Sequence, residues 1–218
     1  MSEISAAGRG IMSRLRDETM ELHRETEQGP FQRSLMAGKL PLERYAELLH
    51  ELLHLHVAVE TDLRVLAEDE EAVRLVLRPY QFQEAQLRKD LRFFDRTPDS
   101  ATSLSSTARL VAEIKARVTR GPIAILGVQY VLEGSKNGGR FIALAMRRAY
   151  GLQSGGLAYL DPYGDQQQAR WTEFKASMEA AGMSEAQQDQ VVAAARLTFR
   201  GIIEIHRELF AIVADSPR

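Results

Sequence analysis

Cysteine is absent from the 218-residue chain. That excludes disulfides, thiolate metal ligands and a cysteine nucleophile, and it fits a reducing compartment. No apolar run approaches the roughly 18 residues that a membrane span needs. Net charge is also missing: 28 Lys and Arg against 30 Asp and Glu leave −2, too little to draw the protein to nucleic acid or membrane. Met1 to Gly10 has no apolar core behind a basic start and so does not read as a signal peptide. Asp215 to Arg218 carries no hydrophobic tail. The expected location is cytoplasmic. Strand-like alternation is nearly missing too, so an all-α single domain is expected over residues 13–214, behind a flexible tail at 1–12.

What is present is helical periodicity. Ser13 can cap a helix to about Glu27, ended by Gly29-Pro30 because proline disfavours helical geometry in the residue before it. Pro41 opens a long segment to about Leu66. A further segment, Glu70 to Asp95, should kink or break at Pro79. After a turn at Thr97 to Ser100, helices are expected at Ser105 to Arg117, Ile123 to Tyr150, Gln166 to Ala181 and Ser184 to Val213. A glycine-rich loop, Gly151 to Gly164, precedes the last two, and Ser184 to Gln187 has the spacing of a capping box.

Two stretches carry the chemistry. In Leu126-Gly-Val-Gln-Tyr-Val-Leu-Glu-Gly-Ser-Lys-Asn-Gly-Gly-Arg140, three glycines (Gly134, Gly138 and Gly139) interrupt strongly helical flanks. Each costs a helix about 1 kcal/mol relative to alanine. One reading is a helix that ends at Gly134, a turn, and a second helix from Gly139. The other is a helix whose bare backbone approaches, and bends around, something flat and bulky. A phosphate loop is disfavoured, because no strand precedes the glycines and their spacing matches neither nucleotide fingerprint. The second stretch, Leu15 to Glu27, places His23 on a face with Leu15, Thr19, Leu22 and Thr26, so its imidazole should point inward. Either a structural histidine or a metal ligand fits that position. Glu27, one turn on, could accept from the ring nitrogen that faces away from a metal.

Together the two stretches resemble the proximal and distal helices of the heme oxygenases, the second in the bacterial form that reads YVLEGS followed by GG. The likeness runs in order along the chain through Phe31 to Arg33, His54 to Glu60, Leu87 to Phe94 and Ala195 to Phe199. It implies a helical bundle with heme between the first helix and a glycine-kinked distal helix, His23 on the iron, and Gly134, Gly138 and Gly139 over the porphyrin. Heme would be substrate and cofactor at once. It would be opened with O2 and external electrons to biliverdin, ferrous iron and carbon monoxide. By motif position Arg16 and Lys175 would meet the propionates, and Phe199 would pack near the heme edge. The resemblance also suggests a ferredoxin or flavoprotein reductase as electron donor, biliverdin supply to a phytochrome as one purpose, and a monomer.

The chain departs from the mammalian pattern at Ser135, where those enzymes carry an aspartate that organises water, at Gln129 in place of a tyrosine, and at Met20 and Trp171 in place of basic residues. A hydroxyl does not ionise near neutrality, which leaves the proton path open. Two rivals remain at this level: a module that stores or senses heme without turnover, and a di-iron site built on Glu51-x-x-His54.

Overall fold

The computed structural model describes residues 10–98, 103–153 and 155–214. Among these every regular element is helical: α1 (Ile11–Gln28), α2 (Pro30–Met36), α3 (Leu42–Asp69), α4 (Glu71–Val76), α5 (Glu84–Phe93), α6 (Ser105–Arg120), α7 (Ile125–Tyr150), α8 (Gln167–Ala180) and α9 (Glu185–Ala214). Short 3-10 turns at Pro79–Gln81, Pro122–Ala124 and Gly164–Gln166 lead into α5, α7 and α8.

α1 begins at Ile11, two residues before the expected cap at Ser13, with Gly10 in the N-cap position. Gly10 offers no side chain, so a free N–H of the first turn is met from elsewhere: Met12 N donates to Glu179 Oε1 of α8 at 3.1 Å. Ile11, Leu15 and Thr19 face the core at four-residue spacing, and Arg14 reaches Asp189 of α9 at 2.7 Å. The expected tail therefore ends earlier than residue 12, and residues 1–9 lie outside the described residues.

Gly29-Pro30 ends α1 as expected, but Pro30 then opens α2, where its missing N–H costs nothing. Pro79 acts as a breaker. The expected Glu70-to-Asp95 segment divides into α4, the 3-10 turn and α5, with Arg78 in extended geometry ahead of the proline. Part of the expected turn at Thr97 to Ser100 lies outside the described residues. Ser184 and Gln187 form the capping box ahead of α9: Gln187 N donates to Ser184 Oγ at 3.3 Å, and Ser184 N to Gln187 Oε1 at 2.9 Å.

The 30-residue α9 packs against α7, α1 and α6 and forms the spine of the bundle. α7 meets it at Gly127, where a Cβ would collide with the Val191 carbonyl oxygen. The two backbones therefore touch, and α7 is held with one side in the core. α7 itself runs unbroken through Gly134, Gly138 and Gly139. The reading with a turn between two helices is thus replaced by a single helix with a bare patch.

His206 of α9 stacks on Phe31 of α2, with ring centroids 5.0 Å apart and 15° between planes. Burial lowers this imidazole from its ordinary 6.5 to about 4. As pH falls through 6.5 the unfolded chain takes up a proton that the folded chain refuses, so His206 should erode stability from about pH 6.5 down to 4 and leave it unaffected above. The loss is at most about 3 kcal/mol, reduced by the ring's partial exposure. Urea unfolding at pH 7 and pH 5 should show a smaller acid loss for His206→Phe than for the parent; equal losses would contradict this assignment.

Candidate functional site

The expected site residues lie on four helices. On α1, His23 is not turned inward: its side chain is 54% exposed. The core stripe Ile11, Leu15 and Thr19 ends one turn earlier, and at His23 the helix has left the packed interior. What remains beside the imidazole is Phe199 of α9, edge-on, with centroids 5.9 Å apart and 74° between planes. Two predicted residues thus meet. Glu27 Oε2 stands 3.6 Å from His23 Nδ1, close enough to steady the ring through water or a small rotation.

The Tyr130 phenol of α7 lies within electrostatic reach of Thr19 and Arg16 on α1; burial raises its pKa and these two groups oppose the rise. His23 lies one turn beyond Thr19, and Gly134 one turn beyond Tyr130. Trp171 of α8 tilts against Tyr130 at 6.0 Å, stacks on Phe174 at 5.4 Å, and covers the bare side of Gly134 at 3.4 Å. Lys175 follows Trp171 by one turn on α8. It makes no ion pair among the described residues. Arg16 is largely exposed and, among the described residues, pairs only with Asp17.

The three glycines do different work. Nothing stands within 4 Å of a Cβ built on Gly138, so its side of α7 is open. Gly134 has only the Trp171 indole in ordinary contact. A Cβ on Gly139 would instead strike the Leu160 carbonyl oxygen. Gly139, expected over a porphyrin, thus owes its missing side chain to the loop that crosses behind α7, and Gly134 and Gly138 supply the bare patch. Asn137 Nδ2 donates to the Gly134 carbonyl at 3.1 Å and Gln167 Nε2 to Asn137 Oδ1 at 3.0 Å, which ties the patch to α8.

Behind the patch lies a cluster that sequence reasoning missed. Lys136 is 2% exposed, with Nζ 3.6 Å over the Tyr159 ring, and Glu133 is equally buried. Burial lowers the amine to about 7, against the pull of Glu133 and Glu60, and burial raises the Glu133 carboxyl, against Lys136 and a hydrogen bond from Tyr163. Tyr163 donates to Glu133 Oε2 at 3.0 Å, and its own pKa is pushed far up. His56 joins Tyr159 to Glu60: Nε2 lies 3.1 Å from the Tyr159 hydroxyl and Nδ1 2.9 Å from Glu60 Oε1. Asp90 holds the Tyr159 loop by accepting from Ala158 N and Tyr159 N at 2.9 and 2.8 Å. Glu133 and Lys136 stand beside the glycines in sequence, but at this spacing they read as an exposed helix pair; only the position of α7 in the core reveals otherwise.

The di-iron alternative does not assemble. Among the described residues no three His, Asp or Glu side chains gather to hold a metal. Glu51 accepts from Leu104 N at 3.0 Å ahead of α6, and His54 packs edge-on against His50 at 4.8 Å.

An accessible imidazole with a carboxylate behind it, a helix patch without side chains and flanking cations suit a flat, anionic, metal-bearing macrocycle such as heme. Comparison with known proteins bears on that class. The heme oxygenase family profile matches residues 9–208. A heme oxygenase of Guillardia theta is 23% identical over 204 residues, 89% of this chain and 84% of that protein. Two solved structures share the fold. Heme oxygenase from Leptospira interrogans aligns with TM-score 0.84 at 20% identity, over 91% of this chain and 99% of that one. Heme oxygenase-1 from Synechocystis, solved in complex with heme, aligns with TM-score 0.85 at 18% identity, over 94% and 96%. The chain belongs to the heme oxygenase family, whose members are oxidoreductases acting on heme.

The glycine assignments have separable consequences. Gly138→Ala should raise the stability of the ligand-free protein by up to about 1 kcal/mol, since it adds helix propensity in open space. Gly139→Ala should lower it by about 1–3 kcal/mol through the clash with Leu160. Urea midpoints moving in the same direction for both variants would contradict the assignment.

Proposed function

We propose that this protein is a heme oxygenase that binds heme through His23 and opens the ring to biliverdin, ferrous iron and carbon monoxide. The observation that carries the reading is the pairing of a half-exposed His23, backed by Phe199 and Glu27, with the bare α7 patch at Gly134 and Gly138. When bound, heme supplies the iron at which O2 is reduced with external electrons and the ring carbon that is oxidised. The chain's own residues do the rest. His23 holds the macrocycle, and Glu27 accepts from its far nitrogen and fixes the tautomer. Arg16 and Lys175 pair with the propionates, and Phe199 packs along the edge beside His23. Gly134 and Gly138 let the α7 backbone lie close to the ring face. Gly139 supports that surface from behind, and the Ser135 hydroxyl borders it.

No helix among the described residues is long and apolar enough to cross a membrane. We place the protein in the cytoplasm as a monomer, fed with electrons by a ferredoxin or flavoprotein reductase; delivery of biliverdin to a phytochrome is one use of the product. Storage of heme without turnover is the rival reading. It would give a stable Soret band after addition of hemin and reductant in air, whereas turnover replaces that band with a biliverdin spectrum.

His23→Ala should lose axial ligation and turnover, with partial recovery on adding imidazole. A variant that degrades heme at the parent's rate would sink the ligand assignment. In the same assay Gly138→Ala, the stabilised variant, should bind hemin more weakly than the parent, because its new methyl group occupies the bare patch.

A further inference from the structure

Three successive turns of α7 are gripped from behind by one loop. With about 3.6 residues per turn, Lys136 lies on the side of α7 opposite the Gly134–Gly138 stripe, and Glu133 and Gly139 flank it. Each of the three meets the segment 155–163, which lies ahead of the Gly164–Gln166 turn. Tyr163 donates to Glu133 Oε2 at 3.0 Å, the Tyr159 ring lies 3.6 Å from Lys136 Nζ, and the Leu160 carbonyl oxygen takes the place of a Gly139 side chain. Gly134, Gly138 and Gly139 leave this stretch of helix easy to bend. Its course along the patch is therefore set from outside.

The loop in turn is held by α5 and α3. Asp90 of α5 is fully buried, and its two oxygens accept from Ala158 N at 2.9 Å and Tyr159 N at 2.8 Å. Two consecutive N–H groups aimed at one carboxylate fix both the place and the rotation of the backbone that carries Tyr159. His56 of α3 stands 3.1 Å from the Tyr159 hydroxyl. At the start of the loop, Gly155 and Gly156 press on the rings of Phe93 and Phe94, so close that a Cβ on either would collide. At its end, the Tyr163 hydroxyl accepts from Gln83 Nε2 at 3.3 Å. A path of contacts thus leads from Asp90 through Tyr159 and Leu160 to Lys136 and Gly139.

We propose that Asp90 is a positioning residue for the bare patch: by anchoring the 155–163 loop behind α7, it sets how far Gly134 and Gly138 stand from a ligand held at His23. Asparagine in its place has nearly the same shape but a single acceptor oxygen. One of the two N–H groups then loses its partner and the loop is freed to shift. α7 in turn bends more readily at its glycines. The effect on the ligand rests on the heme oxygenase reading; the anchoring of α7 does not.

Amide hydrogen exchange of the ligand-free protein tests the anchoring. Asp90→Asn should speed exchange of the α7 amides from Gly134 to Ala143 by roughly 10- to 100-fold, the effect of losing a hydrogen bond to a buried charge, while α1 and α6 keep the parent's rates. Ile114→Val, a core change on α6, controls for loss of stability alone and should not single out α7. Gly156→Ala, which disturbs the contact with Phe94 at a positive φ, is the second variant if Asp90→Asn fails to fold, and should act on the same amides. Uniformly faster exchange, or unchanged exchange in α7, would overturn the proposal. In the hemin-loaded protein, the ring-methyl proton NMR signals of bound hemin should shift in Asp90→Asn and stay in place in Ile114→Val. Ring opening should slow by roughly 10- to 100-fold, as a misplacement of about 1 Å can cost. Unshifted methyl signals beside locally faster exchange would overturn the link from loop to patch. Failure of the wild-type protein to bind hemin would defeat the function reading alone and leave the exchange result to decide the anchoring.

Discussion

The Glu60 carboxylate is the fixed point of the buried polar architecture. It sits at the amino terminus of α5, where Gln83 and Glu84 offer N–H groups that the helix cannot satisfy itself, and where the helix dipole favours an anion. From there His56 carries the connection to Tyr159, whose loop Asp90 secures by accepting from Ala158 N and Tyr159 N. α3, α5 and the loop ahead of α8 are thus joined through one carboxylate and its donors.

α7 has to satisfy two opposed demands. One side must be bare enough for a flat ligand, hence Gly134 and Gly138; another is forced into the core by the close crossing with α9 at Gly127. The side that enters the core carries Glu133 and Lys136: Tyr163 donates to Glu133 Oε2, and Lys136 Nζ lies over the Tyr159 ring with no hydrogen-bond partner among the described residues.

Much of the architecture was legible residue by residue. Pro41, Pro79, Gly121-Pro122 and the Ser184 capping box mark helix ends by local sterics and local hydrogen bonds, and the structure places boundaries at or near each. α2 went unseen because seven residues after a proline are too short for periodicity to register. On the site, His23 and Phe199 were named and do meet. At Gly139 a side chain would meet the Leu160 carbonyl, a neighbour the motif did not indicate, because a glycine shows only that a side chain is unwelcome and not which atom excludes it. His56 and Glu60 fell within the His54-to-Glu60 stretch of the family likeness, with no role assigned to either.

The order of helices, the breaks between them, the bare patch and the family likeness follow from the sequence alone, because each depends on residues within a few turns of one another or on a motif read in order. Tertiary structure alone decided that Glu133 and Lys136 are buried, that Gly139 serves a loop, that His23 stays accessible and that Tyr159 reaches His56. These depend on which side of each helix the packing of α9 and α3 leaves facing inward, and on contacts between residues up to about a hundred positions apart, such as His56 and Tyr159. Helical periodicity fixes the angle between side chains on one helix and says nothing of the angle between that helix and its neighbours.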